Sequence, residues 1–201
     1  MNRLIYFGVP ICLALFAGCD AADLEGRDGR EAVAAAPAVV DSVIPVAEAL
    51  ERFRADLAAA PDDFEGGHDS PEALVRAVLD RLAAGDTTGF EPLAVDRAEF
   101  AWLVYPESPM SKLPYELPPA LMWFRLQQEN RIGVLRMLRE LGGREYGSFA
   151  LRCPQEAVTE GANRVLGGCT VRLGEGEERR LFGALVERGG RWKVLSFAND
   201  F

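Results

Sequence analysis

Few side chains in this sequence could do chemistry, and their scarcity narrows the options. His68 is the sole histidine, which leaves little room for a nucleophile–histidine arrangement or a histidine-ligated metal. Cysteine stands at positions 12, 19, 153 and 169. Cys12 falls in an N-terminal apolar run, whereas Cys153 and Cys169 border alternating stretches. If Cys153 sits opposite Cys169, Leu151 faces Val171, Phe149 faces Leu173, and both arginines, 152 and 172, fall on the other face. A slip of one residue destroys that match, so pattern and pairing support each other, and paired thiols are lost to catalysis or zinc. Asp96, Glu99 and Glu116 are the carboxylates that acid–base chemistry would need, provided one points into a pocket with a raised pKa; sequence does not say which does. The acidic loop from Asp62 to Asp69 lacks the alternation of a calcium loop and reads as solvated. Gly66-Gly67 and Gly142-Gly143 are turn or cap signals rather than a phosphate cradle. No metal and no cofactor is expected. What remains is aromatic: Phe100, Trp102, Tyr105, Tyr115, Met122, Trp123 and Phe124. Small-molecule pockets are commonly lined this way, but core and lid packing uses the same residues. Trp102, Tyr105, Tyr115, Met122 and Trp123 are the five expected nearest any pocket or partner surface.

The N-terminus carries an address. Asn2-Arg3 precedes an apolar run from Leu4 to Phe16, too short for a bilayer span of roughly twenty residues but suited to a signal-peptide core. The run ends Phe16-Ala17-Gly18-Cys19. This resembles the bacterial lipoprotein lipobox, with Ala17, Gly18 and Cys19 matching and Phe16 standing where leucine is usual. The resemblance implies cleavage before Cys19, lipidation of Cys19, and an envelope protein held on a membrane at its extracytoplasmic face, inner or outer membrane undetermined. Ordinary secretion, with Cys19 left free, is the other reading. Residues 1–18 are thus expected to be a signal peptide. Residues 19–45, rich in Ala, Asp, Glu and Arg with Pro37 and Pro45, are expected to be a tether, because such a composition buries too little apolar surface to offset ordering entropy. A net charge of -9 and a pI near 4.8 argue against nucleic acid and against a polybasic membrane segment.

Residues 46–201 read as one α+β domain. Val46, Leu50, Phe53 and Leu57 make one helical stripe. Ser70 as N-cap, Pro71 at the first position and Gly85 at the end punctuate a second helix whose buried face is Leu74, Val75, Val78, Leu79 and Leu82. Asp96 to Glu99 resembles a capping box, favouring helix over strand for 97–104, although Phe, Trp, Val and Tyr there suit either. Prolines 106, 109, 114, 118 and 119 mark an ordered loop or lid. Leu121 to Leu141 reads as one bent helix or two, broken near Asn130 and Gly133, with Ile132, Leu135, Leu138 and Leu141 as a buried row. The rest reads as a four-stranded antiparallel meander. The first hairpin turns at Gly161. The second turns at Gly189-Gly190, pairing Val186 with Lys193, Ala184 with Leu195 and Phe182 with Phe197. Leu181, Leu185, Trp192 and Val194 occupy its other face, so burial on both sides is expected.

Helices followed by a meander that ends Glu187-Arg188-Gly189-Gly190-Arg191-Trp192-Lys193-Val194 resemble the NTF2-like (cystatin-like α+β cone) superfamily, in which sheet and helices enclose a conical pocket. That fold serves enzymes, receptors and adaptors alike, so it does not decide function. The expectation is a non-catalytic envelope lipoprotein whose domain binds a protein partner or a small apolar ligand. An isomerase- or dehydratase-type enzyme and a purely structural envelope component remain alternatives.

Overall fold

A computed structural model describes residues 44–57, 59–176 and 178–201. The expected signal peptide at residues 1–18, and residues 19–43 (Cys19 included) of the tether expected over 19–45, lie outside the described residues. Four helices and two antiparallel sheets make an α+β domain. The helices are α1 (Val46–Arg54), α2 (Pro71–Ala84), α3 (Arg97–Glu99), which runs into a π-helical turn Phe100–Val104, and α4 (Pro119–Leu141). The strands are β1 (Phe149–Arg152), β2 (Val158–Glu160), β3 (Asn163–Gly167), β4 (Thr170–Leu173), β5 (Glu178–Arg179), β6 (Ala184–Arg188) and β7 (Arg191–Ser196).

The local signals produce the expected helix ends. Ser70 Oγ accepts the Ala73 N–H at 3.0 Å, and Gly85 closes α2 in the left-handed conformation at φ 65°, where a side chain would be strained. Asp96 accepts from the Glu99 N–H at 2.8 Å while Glu99 accepts from the Asp96 N–H at 2.9 Å. That reciprocal capping box starts α3, and 97–104 is helical rather than a strand.

Seven strands in two sheets replace the four-stranded meander. One sheet has the order β1-β4-β5; the other has β2-β3-β6-β7. The register of β1 against β4 is the one the alternation implies, with Leu151 opposite Val171 and Phe149 opposite Leu173, and Cys153 and Cys169 form a disulfide. The connection between them is not a simple turn. Residues 158–167 form a separate hairpin about Gly161 that joins the second sheet. In the β6–β7 hairpin Val186 pairs with Lys193, but a bulge between Ala184 and Leu185 sets Ala184 opposite Ser196 rather than Leu195. One extra residue in a strand shifts all pairing beyond it, and Phe182 consequently lies outside the ladder.

In the four-stranded sheet β6 and β7 are buried on both faces. Leu185, Trp192 and Val194 join α2, Met137 and Phe197 in one apolar cluster. Val186, on the other face, joins Phe53, Phe100, Val104 and Tyr105 in a second. α4 is one continuous helix, so Asn130 and Gly133 do not break it. Both serve contacts instead. Asn130 Oδ1 accepts the Phe197 N–H at 2.7 Å, and a Cβ on Gly133 would stand 1.9 Å from the Phe197 carbonyl oxygen. The buried row also differs from Ile132, Leu135, Leu138 and Leu141. Gly133, Met137 and Leu141 are buried, whereas Ile132 and Leu135 face outward.

Candidate functional site

An open groove of about 670 Å³ runs between α4 and the segment Thr87–Arg97. Phe90 and Phe197, packed edge to face at 5.8 Å, form part of its floor. Trp123, Val134 and Leu135 supply apolar wall from α4, and Gln127, Asn130 and Arg131 supply polar atoms from the same helix. Asp96 and Arg97 border the opposite side. The Gly133 contact and the Asn130 hydrogen bond hold the middle of α4 against Phe197, part of the groove's floor. Trp123 connects groove to core, its ring lying 5.2 Å from that of Phe100.

Of the five aromatic or sulfur-bearing residues singled out in the sequence, Trp123 lines this groove. Tyr105 is fully buried; its hydroxyl donates to the Leu117 carbonyl at 2.6 Å, and burial pushes its pKa up. Trp102 is half-buried under the Arg54 guanidinium, 3.7 Å from the ring centre, and its indole Nε1 has no hydrogen-bond partner among the described residues. Met122 packs against the second apolar cluster, and Tyr115 stands in solvent. The structure therefore does not gather the five at one place.

The carboxylates are placed as distinctly. Glu99 is 1% exposed and Lys193 3% exposed, and Lys193 Nζ donates to both Glu99 oxygens at 2.7 and 2.8 Å. Glu99 also accepts the N–H groups of Glu65 and Asp96 at 2.8 and 2.9 Å. Four hydrogen bonds from three groups satisfy this carboxylate, so it binds the acidic loop, the start of α3 and β7 into one unit. Asp96 is occupied by its cap, and Glu116 sits exposed at φ 43°. Glu160, whose pKa burial raises against the pull of Lys112, lies at the end of β2 outside the groove. The sequence signal for the pair was Lys193 itself. A lysine between buried Trp192 and Val194, on a strand covered from both sides, needs an internal counter-charge.

His68 bridges to Trp192 through its backbone, donating at 2.9 Å and accepting at 2.7 Å. Burial, then the neighbouring Arg191, lowers its pKa. Among the described residues no group of three or more His, Cys, Asp or Glu side chains is placed to hold a metal ion, and no helix is long and apolar enough to cross a membrane. Comparison with known proteins finds no family model, no curated protein and no solved structure that matches this chain.

Proposed function

We propose that this chain is an envelope lipoprotein, anchored through Cys19 at an extracytoplasmic membrane face, whose domain binds a protein segment or a small apolar ligand in the groove beside Trp123. The observation that carries the binding half is the groove itself. Its volume lies in the range of small-molecule sites, and a few convergent polar groups sit over an aromatic floor, the usual composition of such sites. The lipobox resemblance at Phe16-Ala17-Gly18-Cys19 supports the anchor. The NTF2-like cone belongs to the same proposal, supported by α2 and α4 packing on the bulged β6–β7 hairpin. An enzyme on this frame would need a carboxyl free to act in the groove. Asp96 and Glu99 are committed to structural bonds, which leaves the exposed Glu91 on the groove wall as the carboxylate that alternative would have to use.

Two measurements test the halves separately. Wild type should partition into the detergent phase and Cys19→Ala should not; aqueous behaviour of both removes the anchor. An anilinonaphthalene sulfonate probe should bind the wild type saturably. Gln127→Trp, at an exposed groove position, should abolish that binding while leaving the unfolding midpoint unchanged. Equal binding by both proteins removes the groove as the site.

A further inference from the structure

α4 has two apolar faces, and the fold uses one. Met137, Leu141 and the close contact at Gly133 face the core. Leu121, Phe124, Ile132 and Leu135, the last of which also borders the groove, lie along the opposite side of the same helix and are 45%, 59%, 42% and 52% exposed. Their spacing of three, eight and three residues keeps them on one line, with Gln128 at its midpoint. Single exposed apolar residues are ordinary on a protein surface, but a row along a whole helix marks an interaction face.

The charges beside this row indicate its partner. Arg125 and Arg136 flank it on one side, Arg131 on the other, and Arg139 continues it. Among the described residues Arg125, Arg131 and Arg136 have no ion-pair partner; Arg139 pairs with the adjacent Glu140. A chain of net charge -9 thus sets free guanidinium groups around its exposed apolar ridge. We infer that this face of α4 lies on an anionic lipid bilayer, with Leu121, Phe124, Ile132 and Leu135 at the acyl boundary and the arginines at the headgroup phosphates.

Three features favour a bilayer over other occupants. An apolar stripe flanked by basic residues is the pattern of helices that lie in the membrane interface. The ridge stands on one continuous helix and spans about 21 Å from Leu121 to Leu135 at 1.5 Å per residue, a length that can lie along a plane. A second copy could align antiparallel about Gln128, matching Leu121 to Leu135 and Phe124 to Ile132. That alignment would set Arg125 of one copy against Arg131 of the other, like charges that a symmetric interface cannot avoid. The inference rests on the proposed lipid anchor for its geometry: α1, where the described domain begins, packs on α4, so a chain anchored upstream enters the domain next to this helix.

The test places an environment-sensitive dye at Gln128→Cys in the acylated chain, reconstituted into vesicles of phosphatidylcholine with phosphatidylglycerol or of phosphatidylcholine alone. A blue shift is expected on the anionic vesicles. It should vanish in molar salt, with Arg125→Glu, Arg131→Glu and Arg136→Glu combined, or with Phe124→Asp and Leu135→Asp combined. These are exposed positions, so unchanged unfolding midpoints separate binding from folding. An unshifted dye on floated anionic vesicles overturns the inference, as does an equal shift on both lipids. If the acylated chain fails to float, the anchor reading falls by itself. The same dye on the Cys19→Ala chain with excess anionic vesicles then decides the face: a shift supports it and none overturns it. A lipid-free dimer that Phe124→Asp and Leu135→Asp dissolve would assign the face to a second copy instead.

Discussion

The two sheets solve the same problem by different means. In the four-stranded sheet β6 and β7 are covered on both faces by helices and apolar clusters, and even a lysine is drawn inside. In the three-stranded sheet β5 is exposed, every second residue of β1 faces water, and Val171 is its one fully buried strand residue. The first sheet is held by packing. The second has too little apolar surface for that, and a disulfide closes the open end of its β1–β4 pair. A covalent crosslink acts mainly on the unfolded chain and does not depend on burial, which is why it suits the thinner sheet.

The largest test of this contrast is Lys193→Met, which leaves the Glu99 carboxylate buried without its counter-charge. Stability should fall by about 3–5 kcal/mol in denaturant unfolding, as when one partner of a buried pair is removed. A loss below about 1 kcal/mol would mean that the pair behaves like a surface contact and that packing is not the main support of this sheet. Next comes Cys153→Ser with Cys169→Ser. Closing a loop of this length is worth about 3 kcal/mol in the chain-entropy model, and the loss should be uneven: amide exchange should quicken in residues 149–152 and 170–173 and stay slow in 184–196. Uniform acceleration would merge the two sheets into one cooperative unit. The smallest effect tests burial alone. Arg152 and Glu178 pair across the exposed face of the small sheet at 3.6 Å, so Arg152→Ala should change stability by less than about 1 kcal/mol. A cost near that of Lys193→Met would erase the distinction between the two ion pairs.

The sequence showed the parts whose causes are local. Ser70, Pro71 and Gly85 bound α2 through their own backbone chemistry, and the alternation around Leu151 and Val171 admits a single register. Parts set by distant contacts were hidden. Gly133 and Asn130 look like a helix break in isolation; their meaning comes from Phe197, far along the chain. Val158-Thr159-Glu160 is too short and polar to announce a strand. The bulge at Ala184 leaves no mark in the alternation. Ile132 and Leu135 were assigned to the core because an apolar row has the same period whichever way it faces. At the groove, Trp123 was legible as an aromatic near a proline-rich segment, while Phe90 and Phe197 come together through packing that no local pattern encodes.

The position of β7 in the chain sets an order of events. Both α2 and α4 pack on β7, which follows them in the chain, starting at Arg191 where α4 ends at Leu141, and Phe197 beyond it fills the main cluster. A chain emerging N-terminus first therefore makes α2 and α4 well before β7, and the helices have chiefly one another to pack on until residues 184–196 are free. Non-local pairing of this kind delays folding. Until then the chain lacks Trp192, Val194 and Phe197, three members of the main cluster. The same arrangement makes completion all-or-none: a transcript truncated before Arg191 would yield helices without a keystone, open to proteolysis rather than half-functional.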